Sequence, residues 1–193
     1  MTGVQTCALP ISGLHPHEGE RIVELAAVRL RKGKVVGRFH TYLNPGRSSN
    51  PFALKVHGLA DEFLLGAPKF KDIVGLWEEF VGNATLVAHY SVFDIGHLQA
   101  VYDDIGRQRP ANNVLCTKVL ARLVVPVASY RLVHLVDYFG VDARPAHTAM
   151  GDCQMTADVF MHLRRIFDSK GATSLEALQR RVDTAPPDLR RYQ

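Results

Sequence analysis

The hydrophobic positions along the chain change period several times, and each period predicts a type of element. Apolar and β-branched residues dominate residues 21–30 and again 35–43, which indicates two strands joined by a tight turn at residues 31–34. Apolar residues at helical spacing predict a helix over residues 70–81. The first part of the chain is therefore expected to form a β-hairpin that is followed by helices.

The rest of the chain alternates between short strands and helices. Short strands are expected at residues 84–89 and 113–116, and helices at 92–105, 117–123, 129–139 with Ser129 as N-cap, 149–167 and 174–182 with Ser174 as N-cap, with short helical pieces within 52–65 and a loose end at 184–193. A hairpin followed by alternating strands and helices indicates the α/β class with a mixed sheet. We expect the hairpin to pair with a strand formed by the N-terminal residues.

The composition is that of a globular domain with a sizeable core. The chain has 193 residues, of which 47% are hydrophobic and 22% are charged, and this length fits one domain with a small tail. No apolar run approaches the roughly 18 residues that a membrane span needs. The three cysteines, Cys7, Cys116 and Cys153, are widely spaced and odd in number. They favour a reducing cytoplasm and argue against a disulfide framework or a zinc site.

The charge balance is mildly basic. A formal net charge of +4 fits a polyanionic partner such as nucleic acid, although many small basic proteins bind no polyanion. Six arginines lie in the last thirty residues: Arg164, Arg165, Arg180, Arg181, Arg190 and Arg191. Much of the positive surplus is therefore expected outside any active site.

Three residues form the candidate catalytic set. Asp94 closes a strand-like run, and His147 precedes Asp152 by five residues at the start of a helical pattern. Two carboxylates and an imidazole suit the hydrolysis of a phosphodiester with divalent metal ions, because the ions need oxygen ligands and the attacking water needs a base. Each residue also has an ordinary interpretation. Asp94 suits a helix N-cap, Asp152 a solvated helix residue and His147 a loop histidine.

An ordered set of segments carries a family resemblance. The segments are Gly13-Leu14, IVELAAV (22–28), VHGLADEFL (56–64), AHYSVFDIGHL (88–98), the LCTKVLARLVVP and SYRLVHLVDYFGV runs, and HTAMGD (147–152). In this order and spacing the chain resembles the DEDDh group of 3′–5′ exonucleases, and within it the epsilon-type proofreading exonucleases of bacterial DNA polymerase III. The resemblance covers residues 12 to about 167.

The resemblance implies a fold, two metal ions and a role for each catalytic candidate. The implied fold is ribonuclease H-like, with a mixed five-stranded sheet flanked by helices. Asp94 matches the third acid of the family and Asp152 the fourth, both as ligands of two Mg²⁺ or Mn²⁺ ions, and His147 matches the base that takes a proton from the attacking water. Two such ions stabilise the attacking and the leaving oxygens of an in-line displacement.

The resemblance also implies residues that contact the substrate. They are Ser12, Gly13, Leu14, Val56, His57 and Phe93. Leu14 matches a residue that wedges near the terminal base, and Val56-His57 a pair that lies beside the terminal nucleotide. A structural turn at His57 and plain core packing of Phe93 are the alternatives.

Three further residues have structural interpretations or depart from the family pattern. Tyr90 stands where the family often has Asn, which puts one polar contact in doubt. The preceding His89 is expected to be a buried histidine with satisfied hydrogen bonds. Glu24 on the predicted second strand is expected to be structural.

The chain departs from the family most clearly at its first strand. The family carries its first two acids in an Asp-x-Glu before Thr-Thr-Gly-Leu, and counting back from Ser12-Gly13-Leu14 places Ala8 and Pro10 at those positions. Neither side chain can bind a metal, and we do not expect Glu18 or Glu20 to substitute. The chain is therefore expected to have little or no nuclease activity.

The same departure suggests how the chain is divided. Residues 1–11 look like a non-native leader that replaces most of the first strand, as at a junction between unrelated reading frames. Residues 12–168 are the expected exonuclease domain, and residues 169–193 a basic C-terminal tail.

Three functions remain open at this point. The first is an exonuclease that acts on single-stranded or frayed DNA 3′ ends in proofreading or repair, and that contacts a DNA polymerase subunit. The second is a non-catalytic module that binds nucleic acid or a polymerase, which the missing acids favour. The third is an RNA-directed exonuclease of the same fold.

Overall fold

The computed structural model describes the backbone of residues 4–8, and residues 21–144 and 148–191 with their side chains. The strands are β1 (Val4–Ala8), β2 (Glu24–Arg31), β3 (Lys34–Tyr42), β4 (Thr85–Ala88) and β5 (Val114–Cys116). The helices are α1 (Pro51–His57), α2 (Asp61–Leu65), α3 (Phe70–Val81), α4 (Ser91–Asp104), α5 (Thr117–Val124), α6 (Leu132–Phe139), α7 (Ala149–Ser169), α8 (Leu175–Asp183) and α9 (Pro187–Arg190).

The strands form one mixed sheet in the order β3-β2-β1-β4-β5. Strand β1 lies in its centre, antiparallel to β2 and parallel to β4, and β5 continues the parallel half. The N-terminal residues therefore supply the strand that the hairpin was expected to pair with. The α/β class and the mixed sheet are confirmed.

Helices cover both faces of the sheet, and this explains the apolar run in β2. Ala26, Val28 and Leu30 pack into a core with helices α5 to α9. Leu25 and Ala27 point to the opposite face and pack with α3 and α4. A strand that is buried on both faces reads as a nearly continuous hydrophobic run rather than as a clean alternation.

The hairpin contains a turn and a bulge. Lys32 and Gly33 both have positive φ angles, 51° and 75°, which suit the tight two-residue turn expected at residues 31–34. Leu30 pairs with Val35, whereas Arg29 pairs with Gly37, so Val36 is an extra residue in β3. Such a bulge shifts the pairing of all positions beyond it by one residue.

Two expectations from the sequence are wrong. Ser129 does not cap α6, because the N-cap is Arg131, whose backbone is extended, and the helix begins at Leu132. Ser129 Oγ instead lies 2.6 Å from His134 Nδ1. The segment expected to be a loose end contains α9, and its Leu189 is buried in the same core as α5 to α8.

The C-terminal helices therefore complete the core on the α7 side of the sheet. Ser174 Oγ accepts a hydrogen bond from Ala177 N–H at 3.1 Å, which confirms the expected N-cap of α8. Leu178 and Val182 of α8 are fully buried. No helix in the described part of the chain has the length and apolar character required to cross a membrane.

Replacing Leu178 by Ala tests the contribution of α8 to the core. We expect the free energy of unfolding to fall by about 2–5 kcal/mol, because the change removes apolar contacts and leaves a cavity. The control Leu76→Ala changes a side chain that is 62% exposed on α3, and should cost less than about 0.5 kcal/mol. Urea denaturation measures both, and equal small effects would contradict the packing of α8.

Candidate active site

The carboxyl ends of the three parallel strands meet at one edge of the sheet. Strands β1, β4 and β5 are parallel, so their carboxyl ends at Ala8, Ala88 and Cys116 lie at the same edge. Strand β2 is antiparallel to β1 and enters the sheet at this edge with Glu24. Ligand sites of open α/β sheets are built at the carboxyl ends of parallel strands.

Asp94 lies in the first turn of α4, the helix that follows β4. The N-cap of α4 is Tyr90, whose carbonyl accepts a hydrogen bond from the Asp94 N–H at 3.4 Å. The interpretation of Asp94 as the N-cap is therefore wrong, because the helix already begins at Ser91. The Asp94 side chain is buried. The positive end of a helix dipole favours a carboxylate in this position.

Asp152 lies in the first turn of α7. Thr148 caps this helix: its Oγ1 accepts from the Gly151 N–H at 3.1 Å, and its carbonyl accepts from the Asp152 N–H at 3.0 Å. Ala149 and Gly151 are buried, so small residues let the start of α7 approach the sheet closely. Asp152 itself is half-buried.

The carboxylate of Glu24 joins the start of α7 to the sheet. Glu24 Oε2 accepts from the buried Ala149 N–H at 3.1 Å, and Oε1 lies 2.7 Å from His40 Nε2. Both oxygens of this buried side chain are thus hydrogen-bonded. The structural interpretation of Glu24 is confirmed, whereas sequence reasoning gave its partner His40 no role. The register of the hairpin brings the two side chains together, since Glu24 pairs with Tyr42 and His40 is its diagonal neighbour.

His57 is the last residue of α1, and the hydrogen bond of its ring defines which nitrogen carries the proton. Its Nδ1 accepts from the Leu59 N–H at 3.0 Å, so Nε2 carries the proton of the neutral ring. Burial lowers the pKa of His57, and the carboxylates of Asp61 and Glu24 oppose this shift more weakly. Nε2 is buried and has no hydrogen-bond partner within the described residues. A neutral donor without an acceptor is suited to an oxygen of a bound ligand.

The other substrate candidates divide into two groups. Val56 is exposed beside His57 at the end of α1, and Phe93 is half-buried in the first turn of α4, next to Asp94. Ser12, Gly13, Leu14 and His147 lie outside the described residues. The structure therefore places part of the candidate set, and the role of every member stays a prediction.

The described side chains at this edge do not by themselves supply the oxygen ligands of two tightly held divalent ions. Ala8 and Pro10 carry no side-chain oxygen, and the two oxygens of Glu24 are already hydrogen-bonded. Within the described ranges, no group of three or more His, Cys, Asp or Glu side chains could hold a metal ion.

His89 connects the end of β4 to two neighbouring segments. Its Nε2–H donates to the carbonyl of Tyr130 at 2.9 Å, and Nδ1 accepts from the Thr117 hydroxyl at 3.0 Å. Burial of the ring lowers the pKa of His89 to about 4, and the ammonium of Lys118 adds to the shift. The expectation of a hydrogen-bonded structural histidine is confirmed.

Comparison with known sequences identifies relatives over most of the chain. The exonuclease family (RNase T) matches residues 1–160. The DNA polymerase III subunit epsilon of Salmonella typhimurium strain LT2 is 35% identical over 164 residues, which cover 81% of this chain and 67% of that protein. The subunit of the same name from Escherichia coli K12 is 33% identical over the same length and shares.

Comparison with solved structures identifies the same fold. Exonuclease X in complex with 5′ overhanging duplex DNA superposes with a TM-score of 0.74, covering 92% of this chain and 98% of that chain at 23% identity. At this identity the likeness concerns the fold alone. It confirms the ribonuclease H-like fold that the family resemblance implied.

Replacing Glu24 by Ala tests its bond to α7. We expect a loss of about 1–3 kcal/mol in unfolding free energy, because the buried Ala149 N–H loses its acceptor, and faster amide exchange at the start of α7. Glu24→Gln keeps an acceptor and should recover most of the loss. The matched control is Glu79→Ala on the exposed side of α3. If both alanine variants unfold alike, the bond does not hold α7.

The lowered pKa of His89 predicts a specific loss of stability in acid. The unfolded chain binds a proton below about pH 6.5, whereas the folded chain resists it down to about pH 4, so stability falls as the pH drops between these values. We expect a contribution on the order of 2–3 kcal/mol between pH 7 and 4.5. Denaturation of His89→Gln should lack this component, and exposed His134→Gln should retain it. An unchanged pH dependence in His89→Gln would contradict the assignment.

Proposed function

The chain belongs to the exonuclease family, and from this premise we propose that it binds the 3′ end of a DNA strand at the sheet edge defined by β1, β4 and β5 but hydrolyses it poorly. One observation carries the proposal. Asp94 and the capped first turn of α7 belong to this edge, and the strand in the centre of the sheet ends there in Ala8. In this proposal the chain keeps residues that bind the strand end but lacks two of the acids that catalysis requires.

The proposed roles follow from the residues present. Asp94 and Asp152 are the remaining metal ligands, and His147 is the base for the attacking water. The Nε2–H of His57 donates to an oxygen of the terminal nucleotide, while Val56, Phe93 and the segment Ser12–Leu14 contact that nucleotide. Contacts of this kind do not depend on the base sequence, which suits an enzyme that accepts any strand end.

The proposed defect follows from the position of β1. Exonucleases of this family act with divalent metal ions, which would be Mg²⁺ or Mn²⁺ here. Hard cations of this kind are held by carboxylate and other oxygen ligands. Ala8 and Pro10 stand where the resemblance places two such ligands, and the carboxylate of Glu24 is occupied by the start of α7. The backbone of β1 still pairs on both sides, so the fold survives the loss of the acids.

A second candidate is a non-catalytic module that binds nucleic acid or a polymerase. The absence of carboxylates at residues 8 and 10 favours it directly. Two of the chain's relatives are DNA polymerase III subunits, so we propose a polymerase subunit as a partner. Cys116 and Cys153 are buried thiols that form no disulfide with each other, which fits the reducing cytoplasm that we propose as the location.

The division of the chain is part of the proposal. We propose residues 12–168 as the exonuclease domain and residues 1–11 as a replaced leader. Residues 169–193 are the basic tail, whose helices α8 and α9 pack on the domain.

Restoring the missing acids tests both the activity and its loss. The variant Ala8→Asp with Pro10→Glu should shorten a 5′-labelled single strand of DNA in the presence of Mg²⁺ or Mn²⁺, and at least about 100-fold faster than the unchanged chain. Asp152→Asn in the restored background should abolish the activity. Gel analysis of the shortened products measures each rate.

Three outcomes would contradict the proposal in different ways. Rapid shortening by the unchanged chain, abolished by Asp152→Ala, would show that the defect is wrong. A restored variant that is folded but inactive on matched DNA and RNA strands would remove the exonuclease assignment. A clear preference for RNA in this competition would identify the substrate as RNA instead of DNA.

A further inference from the structure

An exposed aromatic ring stands between the end of β4 and the candidate metal ligand Asp94. Tyr90 is the N-cap of α4, and 39% of its surface is exposed. Its ring lies parallel to that of Phe93, with centroids 6.2 Å apart and an interplanar angle of 9°. Phe93 in turn contacts the buried His97 ring at 4.5 Å. The two aromatic rings therefore form a platform backed by the core.

The backbone beneath this platform is fixed from several directions. The side chain of His89, directly before Tyr90, is hydrogen-bonded through both ring nitrogens. Its carbonyl accepts from the Lys118 N–H at 3.2 Å, and the carbonyl of Tyr90 accepts from the Phe93 N–H at 2.9 Å. Because this backbone is held in place, the Tyr90 ring is positioned before a ligand arrives, which reduces the entropy lost on binding.

A positive charge accompanies the platform. Lys118 lies in the first turn of α5, and its Nζ is 4.9 Å from the centroid of the Tyr90 ring. An aromatic face combined with an ammonium group suits a nucleotide, since the ring stacks on the base and the ammonium pairs with the phosphate. Stacking accepts every base, so this site would bind strands of any sequence.

We propose that Tyr90 and Lys118 form a subsite for the nucleotide next to the 3′-terminal one. The inference rests on the proposed function, which places the terminal nucleotide at Asp94, and Tyr90 lies one helical turn before that residue. In the subsite the penultimate base replaces the Lys118 ammonium over the face of the Tyr90 ring, and Lys118 turns to the phosphate on the 5′ side of that base. The subsite would hold a single strand even where hydrolysis is slow.

Fluorescence anisotropy with a 5′-labelled single strand in EDTA measures binding without hydrolysis. Tyr90→Ala should weaken binding about 5- to 100-fold, whereas Tyr90→Phe should stay within about twofold, because stacking needs the ring and not the hydroxyl. Lys118→Gln should make the slope of log affinity against log salt about 0.7 less steep, the change expected for one lost phosphate contact on a single strand.

The chain offers matched controls for both changes. Tyr138→Ala removes another half-exposed tyrosine from α6, and Lys170→Gln removes an exposed lysine from the end of α7 opposite to Asp152. Neither control should alter affinity or salt slope. Circular dichroism and thermal melting confirm that each variant is folded.

Strands with one abasic position locate the subsite from the DNA side. With the unchanged chain, removing the penultimate base should weaken binding as much as Tyr90→Ala does, and the same strand should bind the Tyr90→Ala variant with no further loss. Removal of a base five or more positions from the 3′ end should have no such effect.

The outcomes separate this inference from the function on which it rests. Strand binding that is normal in Tyr90→Ala and insensitive to the penultimate base would overturn the subsite and leave the exonuclease proposal standing. Absence of single-strand binding by the unchanged chain would overturn the subsite and the proposed 3′-end binding together. The activity of the Ala8→Asp, Pro10→Glu variant is measured separately. If that variant is inactive, only the catalytic assignment is affected.

Discussion

The hydrogen bond between the buried carboxylate of Glu24 and the N–H of Ala149 is the interaction on which the arrangement of this edge depends. It binds the first residue of the longest helix to the entry of β2, and thereby sets where Asp152 stands relative to the sheet. A buried carboxylate is costly unless its oxygens are satisfied, and here His40 satisfies the second one. The same bonds make Glu24 unsuited to replace an absent metal ligand.

In the central strand β1, the backbone atoms support the fold, whereas the chemistry of the family needs side-chain carboxylates. Strand β1 is held by backbone pairing to β2 and β4, and backbone groups form a ladder whatever the side chains are. A strand that ends in Ala8 can therefore occupy the centre of the sheet without the carboxylates that hold cations. The proposed loss of catalytic capacity is therefore compatible with the shape and the family membership of an exonuclease.

Much of the fold and part of the site could be predicted from the sequence. Helix α3 was expected at residues 70–81 and occupies them, because its apolar residues repeat with helical spacing and Gly82 follows. The hairpin turn at Lys32-Gly33 was likewise expected from its turn residues. Asp94 and Asp152 became candidates through their positions after a strand-like run and at a helix start, and the family segments gave them roles that stay predictions. The start of α6 was predicted too early, because Ser129 is a residue type that often caps helices. The helix α9 was not predicted, because its segment is basic and its apolar Leu189 is buried only by contacts with distant helices.

The sequence by itself determined the class of the fold, the family and the absence of side-chain oxygens at residues 8 and 10, because periodicity, motif order and residue identity are local properties. Only the tertiary structure decided that Glu24 meets His40 and α7, and that Tyr90 stands beside Lys118. The extra residue Val36 shows the reason. Without this bulge Glu24 would pair with Thr41, and His40 would lie on the opposite face of the hairpin. Contacts between distant segments depend on register and packing, which no single segment contains.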